Sequence, residues 1–256
     1  MITIEPISAF TDNYIWLITS GKNAFAVDPG DASPLISVIE KRKLNLKGVL
    51  ITHHHYDHSG GILDLLSKYN AKIYGPHGGH IKGITHTLKN NQVFDLLGYS
   101  FKALCVPGHT DDQIAYYSNT TDIPILFSGD TLFAAGCGRI FEGTAEQMHK
   151  SLQKFSKLPL ETLVYCGHEY TLSNLSFASK VEPLNEKIKS RLKIVSKLRD
   201  NNIVTLPTSI LEELETNPFM RCNKINVIKA AENYSAKQEL HEFEVLGAIR
   251  TWKDNF

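Results

Sequence analysis

The sequence has no apolar run long enough to span a bilayer; its longest are strand-sized, which excludes a membrane-crossing helix. It has no excess of either charge, since Lys plus Arg and Asp plus Glu number 27 each in 256 residues. That balance provides no long-range field to gather nucleic acid or an anionic membrane surface. Cysteine is scarce: Cys105, Cys137, Cys166 and Cys222 are widely spaced and make no C-x-x-C pair. The stretch Met1-Ile2-Thr3-Ile4-Glu5 lacks the basic start and apolar core of a secretory signal. Together these absences lead us to expect reduced thiols and a cytoplasmic protein. There is no Gly-x-Ser-x-Gly elbow, so a serine nucleophile of that kind is not expected. No internal repeat and no low-complexity segment interrupts the chain. Its length suits one sizeable core, alone or with a smaller appended domain.

What the sequence does have is histidine concentrated at one place. Thr52-His53-His54-His55-Tyr56-Asp57-His58 puts four histidines and an aspartate within residues 53–58. The preceding Gly48-Val49-Leu50-Ile51 is short, apolar and β-branched, the signature of a buried strand, so the histidines occupy the loop leaving it. In near-extended backbone alternate side chains share a face. His53, His55 and Asp57 then point one way and His54 the other, while His58 joins the first set if the chain turns at Asp57. Convergent nitrogen and oxygen donors suit a first-row divalent metal, and Zn²⁺ takes them readily. A single loop histidine would carry no such implication; His-x-His-x-Asp-His behind a buried strand does.

Taken in order, residues 2–7, 13–19 and 23–28 predict strands, and 33–43 an amphipathic helix opened by Ser33-Pro34. After the His-rich loop, 60–69 predicts a helix and Lys72-Ile73-Tyr74 a short strand. The stretch 77–92 is expected to be irregular, with His77, His80 and His86 as loop residues. Strands follow at 93–97, 99–106, 113–118 and 124–128. Val106-Pro107-Gly108-His109-Thr110 and Ser128-Gly129-Asp130-Thr131 put a histidine and an aspartate just beyond two of them. A helix at 144–157 with Thr144 as N-cap precedes a strand at 162–165, which delivers Cys166-Gly167-His168-Glu169-Tyr170. Cys166 is expected to be a buried small apolar residue. Polar groups gathered at strand ends are where layered α/β folds build sites. Beyond about residue 172 strand-like runs disappear, and 173–180, 184–202, 208–215 and 235–249 predict helices punctuated by Pro183, Pro207 and Pro218.

At this point the residues carry a resemblance. His53-x-His55-x-Asp57-His58, then His109, Asp130 and His168, resemble the metallo-β-lactamase superfamily in kind and order. Gly129-Asp130-Thr131-Leu132-Phe133, the run from Gly136 to Thr144, Tyr165-Cys166-Gly167-His168-Glu169-Tyr170-Thr171 and Asn217-Pro218-Phe219-Met220-Arg221 narrow it to the glyoxalase II (hydroxyacylglutathione hydrolase) family. The resemblance implies an α/β fold, a metallo-β-lactamase-like αββα sandwich over 1–171 followed by a small all-helical C-terminal domain over 172–256. It implies two divalent metal ions per chain, Zn²⁺ foremost, with Fe or Mn²⁺ as alternatives. His53, His55 and His109 would hold one ion, and Asp57, His58 and His168 the other. Asp130 and a water or hydroxide would bridge them. A bridging carboxylate answers a physical need, because two cations a few ångströms apart repel strongly; His54 and Tyr56 are not expected to be ligands.

The implied reaction is hydrolysis of S-D-lactoylglutathione to D-lactate and glutathione, the second step of methylglyoxal detoxification. A metal-bridging hydroxide attacks the thioester carbonyl, with Asp57 and Asp130 serving as ligands. A thiolate leaves readily, so no strong general acid is required. The resemblance maps Arg139, Phe141, Tyr170, Arg221 and Lys224 onto the glutathione-binding surface, the helical domain contributing affinity. Animal members of the family carry Lys and Tyr where this chain has Arg139 and Phe141, so charge is kept and one hydroxyl is lost. The expected partner is a small glutathione thioester, without nucleic acid or membrane, and the expected state is a monomer. Rival readings within the superfamily are less well matched. A sulfur-oxidising dioxygenase uses one iron, a nuclease would carry basic charge, a β-lactamase an export signal, and a binding module would have lost a ligand such as Asp130.

Overall fold

The short apolar runs of the first 27 residues build strands β1 (Thr3–Ala9), β2 (Asn13–Ser20) and β3 (Asn23–Val27), paired antiparallel in chain order, with β2 and β3 buried along almost their whole length. A parallel neighbour needs a crossover, and helix α1 (Ala32–Arg42) supplies it. Asp31 caps its start by accepting from the Ser33 N–H at 2.8 Å, and Lys43 ends it in the left-handed region. β4 (Asn45–Leu50) then lies parallel to β3. Helical turn α2 (Tyr56–Ser59) and helix α3 (Ile62–Lys68) lead to β5 (Lys72–Pro76) and β6 (His86–Leu88), completing a six-stranded sheet in the order β1 to β6. Leu35 and Ile39 of α1 and Ile62 and Leu65 of α3 bury themselves against Leu17, Ala26, Val49 and Ile73 of that sheet. The structure, a computed structural model, describes residues 1–78 and 80–256. Gly79, inside the stretch 77–92, lies outside the described residues; the rest of that stretch, expected to be irregular, contains β6.

A second sheet in the same unit is an antiparallel meander of β7 (Val93–Leu96), β8 (Tyr99–Cys105), β9 (Ile114–Ser118) and β10 (Ile125–Gly129). Residues 165–168 run beside β10, with the Gly167 N–H donating to Gly129 O at 3.2 Å. The two sheets meet face to face. Tyr116 Oη donates to Ile51 O at 2.6 Å, Phe94 stacks on Tyr74 at 5.3 Å, and Trp16 meets Tyr165 edge-on at 4.9 Å. This unit comprises residues 1–105, 112–129 and 165–168.

The other unit comprises 106–111, 130–164 and 169–256. It opens with a short hairpin, β11 (Leu132–Phe133) and β12 (Gly136–Cys137), and helix α4 (Ala145–Phe155). Thr144 and Gln147 form a reciprocal cap at the start of α4, whose Met148, Leu152 and Phe155 are buried. β13 (Leu163–Cys166) follows, with Leu163 and Val164 in this unit, then α5 (Thr171–Val181) and α6 (Glu186–Asp200). β14 (Thr208–Ser209) pairs with Leu163 and Val164 and leads into α7 (Ile210–Thr216), a 3-10 turn at Pro218–Met220, α8 (Ile225–Ser235) and α9 (Glu242–Asp254). The predicted helix at 235–249 is corrected to α9, and α8 has no counterpart among the predicted helices. Lys224 begins α8 without a side-chain cap, and Ala236 ends it at φ 55°, so neither boundary carries the usual residue signal.

Candidate metal centre and adjoining surface

β4 ends at Leu50, the chain bends at His53 and His54, and α2 begins directly after His55 (φ −56°, ψ 144°). The turn therefore starts one residue before the position expected, and Asp57 and His58 project from a helical turn. Gly30 makes this possible: a Cβ there would lie 1.9 Å from Asp57 O. His53 Nε2 lies 3.1 Å from His55 Nδ1, so these two rings converge. His54 turns away and sets its Nδ1 3.0 Å from Asp112 Oδ1.

Asp57, His58 and His168 bring ligand atoms within 4.8 Å of one another. Asp57 Oδ2 is 3.4 Å from both His58 Nε2 and His168 Nε2, and Asn13 Nδ2 donates to it at 2.9 Å. The opposite edge of each ring faces an acceptor. His58 Nδ1 is 3.0 Å from Asp28 Oδ2, and His168 Nδ1 is 2.8 Å from Asp12 Oδ1. A carboxylate at Nδ1 makes that nitrogen the donor and directs Nε2 to serve as a ligand. His53 follows the same rule through Thr52. Thr52 Oγ1 donates to Asp28 Oδ2 at 2.7 Å, so it accepts from His53 Nδ1, 3.0 Å away. Burial by itself would raise the pKa of Asp57. Hydrogen bonds to His168 and His58, the His58 charge and the Asn13 amide outweigh it and hold the carboxyl well below the usual carboxylate range. Ionised Asp57 among imidazoles is the donor chemistry of a divalent first-row ion, and the anchored rings fit one.

In the other unit His109 Nδ1 donates to Arg139 O at 2.8 Å, and its Nε2 lies 3.6 Å from Asp130 Oδ2. Phe141 sits edge-on to the His109 ring at 5.3 Å, and its N–H donates to His109 O. Arg139 is exposed, with Nε 3.5 Å from Asp254 Oδ1. Tyr170 meets Phe133 edge-on at 5.3 Å. Arg221 is otherwise engaged: Nε and Nη2 donate to Glu182 at 2.7 and 2.9 Å, and Nη1 to Leu214 O at 2.8 Å. Lys224 is exposed at a cavity of about 340 Å³, which His149, Gln153, Met220 and Glu242 also line. Cys166 is buried with its thiol towards His168 O.

The residues that sequence reasoning missed are the anchors Asp12, Asp28, Thr52 and Asn13. Thr11-Asp12-Asn13 and Asp28-Pro29-Gly30 carried a signal, each only as a turn at the end of a strand.

Among the described residues no helix is long and apolar enough to cross a membrane. The sequence profile described as "Metallo-beta-lactamase superfamily" matches residues 10–168, and that described as "Hydroxyacylglutathione hydrolase C-terminus" matches residues 169–256. The chain is 45% identical to a hydroxyacylglutathione hydrolase of Pseudomonas entomophila over 259 residues, covering 100% of each chain. It is 45% identical to that of Nitrosomonas europaea, covering 100% of this chain and 97% of that one. Among solved structures, ETHE1 from Myxococcus xanthus superposes with a TM-score of 0.66 at 23% identity, covering 99% of this chain and 98% of that one. The BLEG-1 B3 metallo-beta-lactamase gives 0.63 at 22%, covering 86% and 99%; at such identities these two establish the fold alone. A metallo-β-lactamase fold followed by a helical tail, with a histidine and aspartate cluster suited to a divalent metal, makes this chain a member of the hydroxyacylglutathione hydrolase family.

Proposed function

We propose that this protein hydrolyses S-D-lactoylglutathione and related 2-hydroxyacylglutathione thioesters, in the cytoplasm and as a monomer. The observation that carries this reading is the pair of carboxylates behind the rings, Asp28 on His58 and Asp12 on His168, around an ionised Asp57. Such buttressing raises ligand basicity and fixes ring orientation, which a surface histidine cluster does not need. In this reading Asp57, His58 and His168 would hold one divalent ion and His53, His55 and His109 a second, with Asp130 a ligand common to both; Zn²⁺, Fe and Mn²⁺ all suit these donors. When bound, such ions lower the pKa of water and act as Lewis acids towards a carbonyl oxygen.

The chain's own residues do the rest. Asp57 stays ionised at neutral pH, and Asp28, Asp12 and Thr52 keep protons on Nδ1 so that Nε2 is presented. Phe141, edge-on to His109 and largely exposed, offers an apolar contact to a bound thioester. Arg139 and Lys224 are exposed cations suited to the two glutathione carboxylates, and Tyr170 contributes an edge of the same surface. Arg221, tied to Glu182, serves by holding the turn in which the Lys224 N–H donates to Arg221 O at 2.8 Å. The direct test is metal content per chain measured alongside turnover of lactoylglutathione, a simple acyl thioester, a β-lactam and glutathione persulfide with oxygen uptake. Metal-dependent turnover confined to the glutathione thioesters supports the reading; oxygen uptake or β-lactam cleavage in its place overturns it.

A further inference from the structure

Each residue from Phe133 to Cys137 gives a backbone group to a buried side chain of the helical segment. Asn217 Nδ2 donates to Phe133 O at 3.3 Å and to Gly136 O at 2.9 Å. Asn174 Nδ2 donates to Ala134 O at 2.8 Å, Glu213 Oε2 accepts from the Ala135 N–H at 2.7 Å, and Arg250 Nη1 donates to Cys137 O at 2.8 Å. None of these four residues is more than 5% exposed. They are also joined to one another, since Asn217 Nδ2 lies 2.8 Å from Glu213 Oε2, and Glu213 Oε1 accepts from Arg191 at 2.9 Å. The fit admits no addition: a Cβ on Gly136 would lie 2.5 Å from Asn174 Nδ2. A hairpin with two residues per strand has little stability of its own, so its shape is imposed by these contacts.

The two feet of this hairpin are Asp130 and Gly138-Arg139. A Cβ on Gly138 would lie 2.1 Å from Asp130 O and 2.9 Å from His109 Nδ1, so the returning strand rests directly on both residues. Arg139 O then fixes the His109 ring from Nδ1, 2.8 Å away, and leaves its Nε2 towards Asp130. We infer that Asn174, Glu213, Asn217 and Arg250 form a clamp that positions His109 and Asp130. Asn217 is its centre and a positioning residue for the reaction, and the helical segment thereby acts on the chemistry as well as on substrate affinity. This rests on the reading of His109 and Asp130 as metal ligands. Apolar packing could fill the same volume, but only polar contacts fix the backbone oxygens and amide in place.

The test compares the parent with Asn217→Asp, Arg250→Lys and, as a control on an exposed face, Lys229→Ala. Asn217→Asp keeps the oxygen that caps the Phe219 N–H and replaces the donor with an acceptor. Arg250→Lys keeps the charge and shortens the reach to Cys137 O. Each protein is held well below its melting midpoint and read for amide exchange along residues 132–137, for Zn²⁺ retained after equilibrium dialysis, and for kcat and KM. The expected result for both clamp variants is exchange at 132–137 faster by about tenfold or more, with β2 and β3 unchanged. Zn²⁺ retention should fall, kcat should drop by about tenfold or more, and KM should stay within about threefold. Lys229→Ala should match the parent. Unaltered exchange at 132–137 in both variants overturns the clamp. Faster exchange with parental Zn²⁺ and kcat overturns its positioning role. If the parent hydrolyses no glutathione thioester, the functional reading falls alone, and the exchange and Zn²⁺ arms still decide the clamp.

Discussion

Asp28 supports His58 from behind at 3.0 Å, Oδ2 to Nδ1, and through Thr52 the same carboxylate reaches His53. One side chain thus orients two proposed ligands that belong to different metal positions in the family arrangement. Asp28 sits at φ 52°, a region asparagine tolerates. Asp28→Asn should therefore fold, yet lose about 10- to 100-fold in metal affinity, because an amide buttresses imidazole less well than a carboxylate. Competition with a chromophoric chelator measures this; unchanged affinity would detach Asp28 from the site.

His54 allows the proposed ligands to be told from a neighbouring histidine proposed as a bystander. Its Nδ1 faces Asp112 at 3.0 Å, whereas His53 and His55 face each other. His54→Ala should retain the parental metal content, and His53→Ala and His55→Ala should lose it. Equal loss in all three, read by elemental analysis, would make His54 a ligand or an essential support.

The ion pair between Arg221 and Glu182 separates substrate affinity from stability. Glu182 is 3% exposed, so Arg221→Ala strands a buried carboxylate and should cost about 3–5 kcal/mol in chemical denaturation. Arg221→Met with Glu182→Gln should recover part of that loss. Lys224→Ala, at an exposed position, should leave the midpoint alone and raise KM for lactoylglutathione roughly tenfold, the worth of about one charged hydrogen bond.

Lys253 predicts a pH dependence of stability. Burial, with the Arg250 and Arg139 charges adding to it against Cys137 and Asp254, pushes its ammonium down to about 7 from 10.5. The unfolded chain holds the extra proton between those values, so stability should rise as pH climbs from about 7 towards 10.5. The penalty is complete below that window and absent above it. Lys253→Met should raise the melting midpoint at pH 6 and confer progressively less advantage towards pH 10.5, as thermal scans across that range will report.

Strand ends carrying Gly, His or Asp were visible in the sequence because burial forces apolar runs and a polar residue interrupts them. His58 and Asp28 lie 30 positions apart and His168 and Asp12 156, and nothing local in either aspartate marks its partner. The Arg221–Glu182 pair was hidden for the same reason, since charge alone cannot say whether a guanidinium meets a substrate or a neighbour. α8 escaped notice because a lysine precedes its first residue and an alanine follows its last, so propensity without boundary signals had to compete with the surrounding loops.

Gly30 has a bearing on whether this centre can be moved. The backbone of the His-rich turn lies directly on residues 29–30: Gly61 N–H donates to Pro29 O at 3.0 Å, and a Cβ at Gly60 would lie 2.7 Å from Gly30 O. The loop is therefore one half of a two-piece casting, and its mould is the turn Asp28-Pro29-Gly30 at the end of the neighbouring strand. Residues 53–58 transplanted alone onto a foreign strand end would carry the donor atoms without the surface that shapes them. A working graft would need both strand ends, taken together at their native spacing.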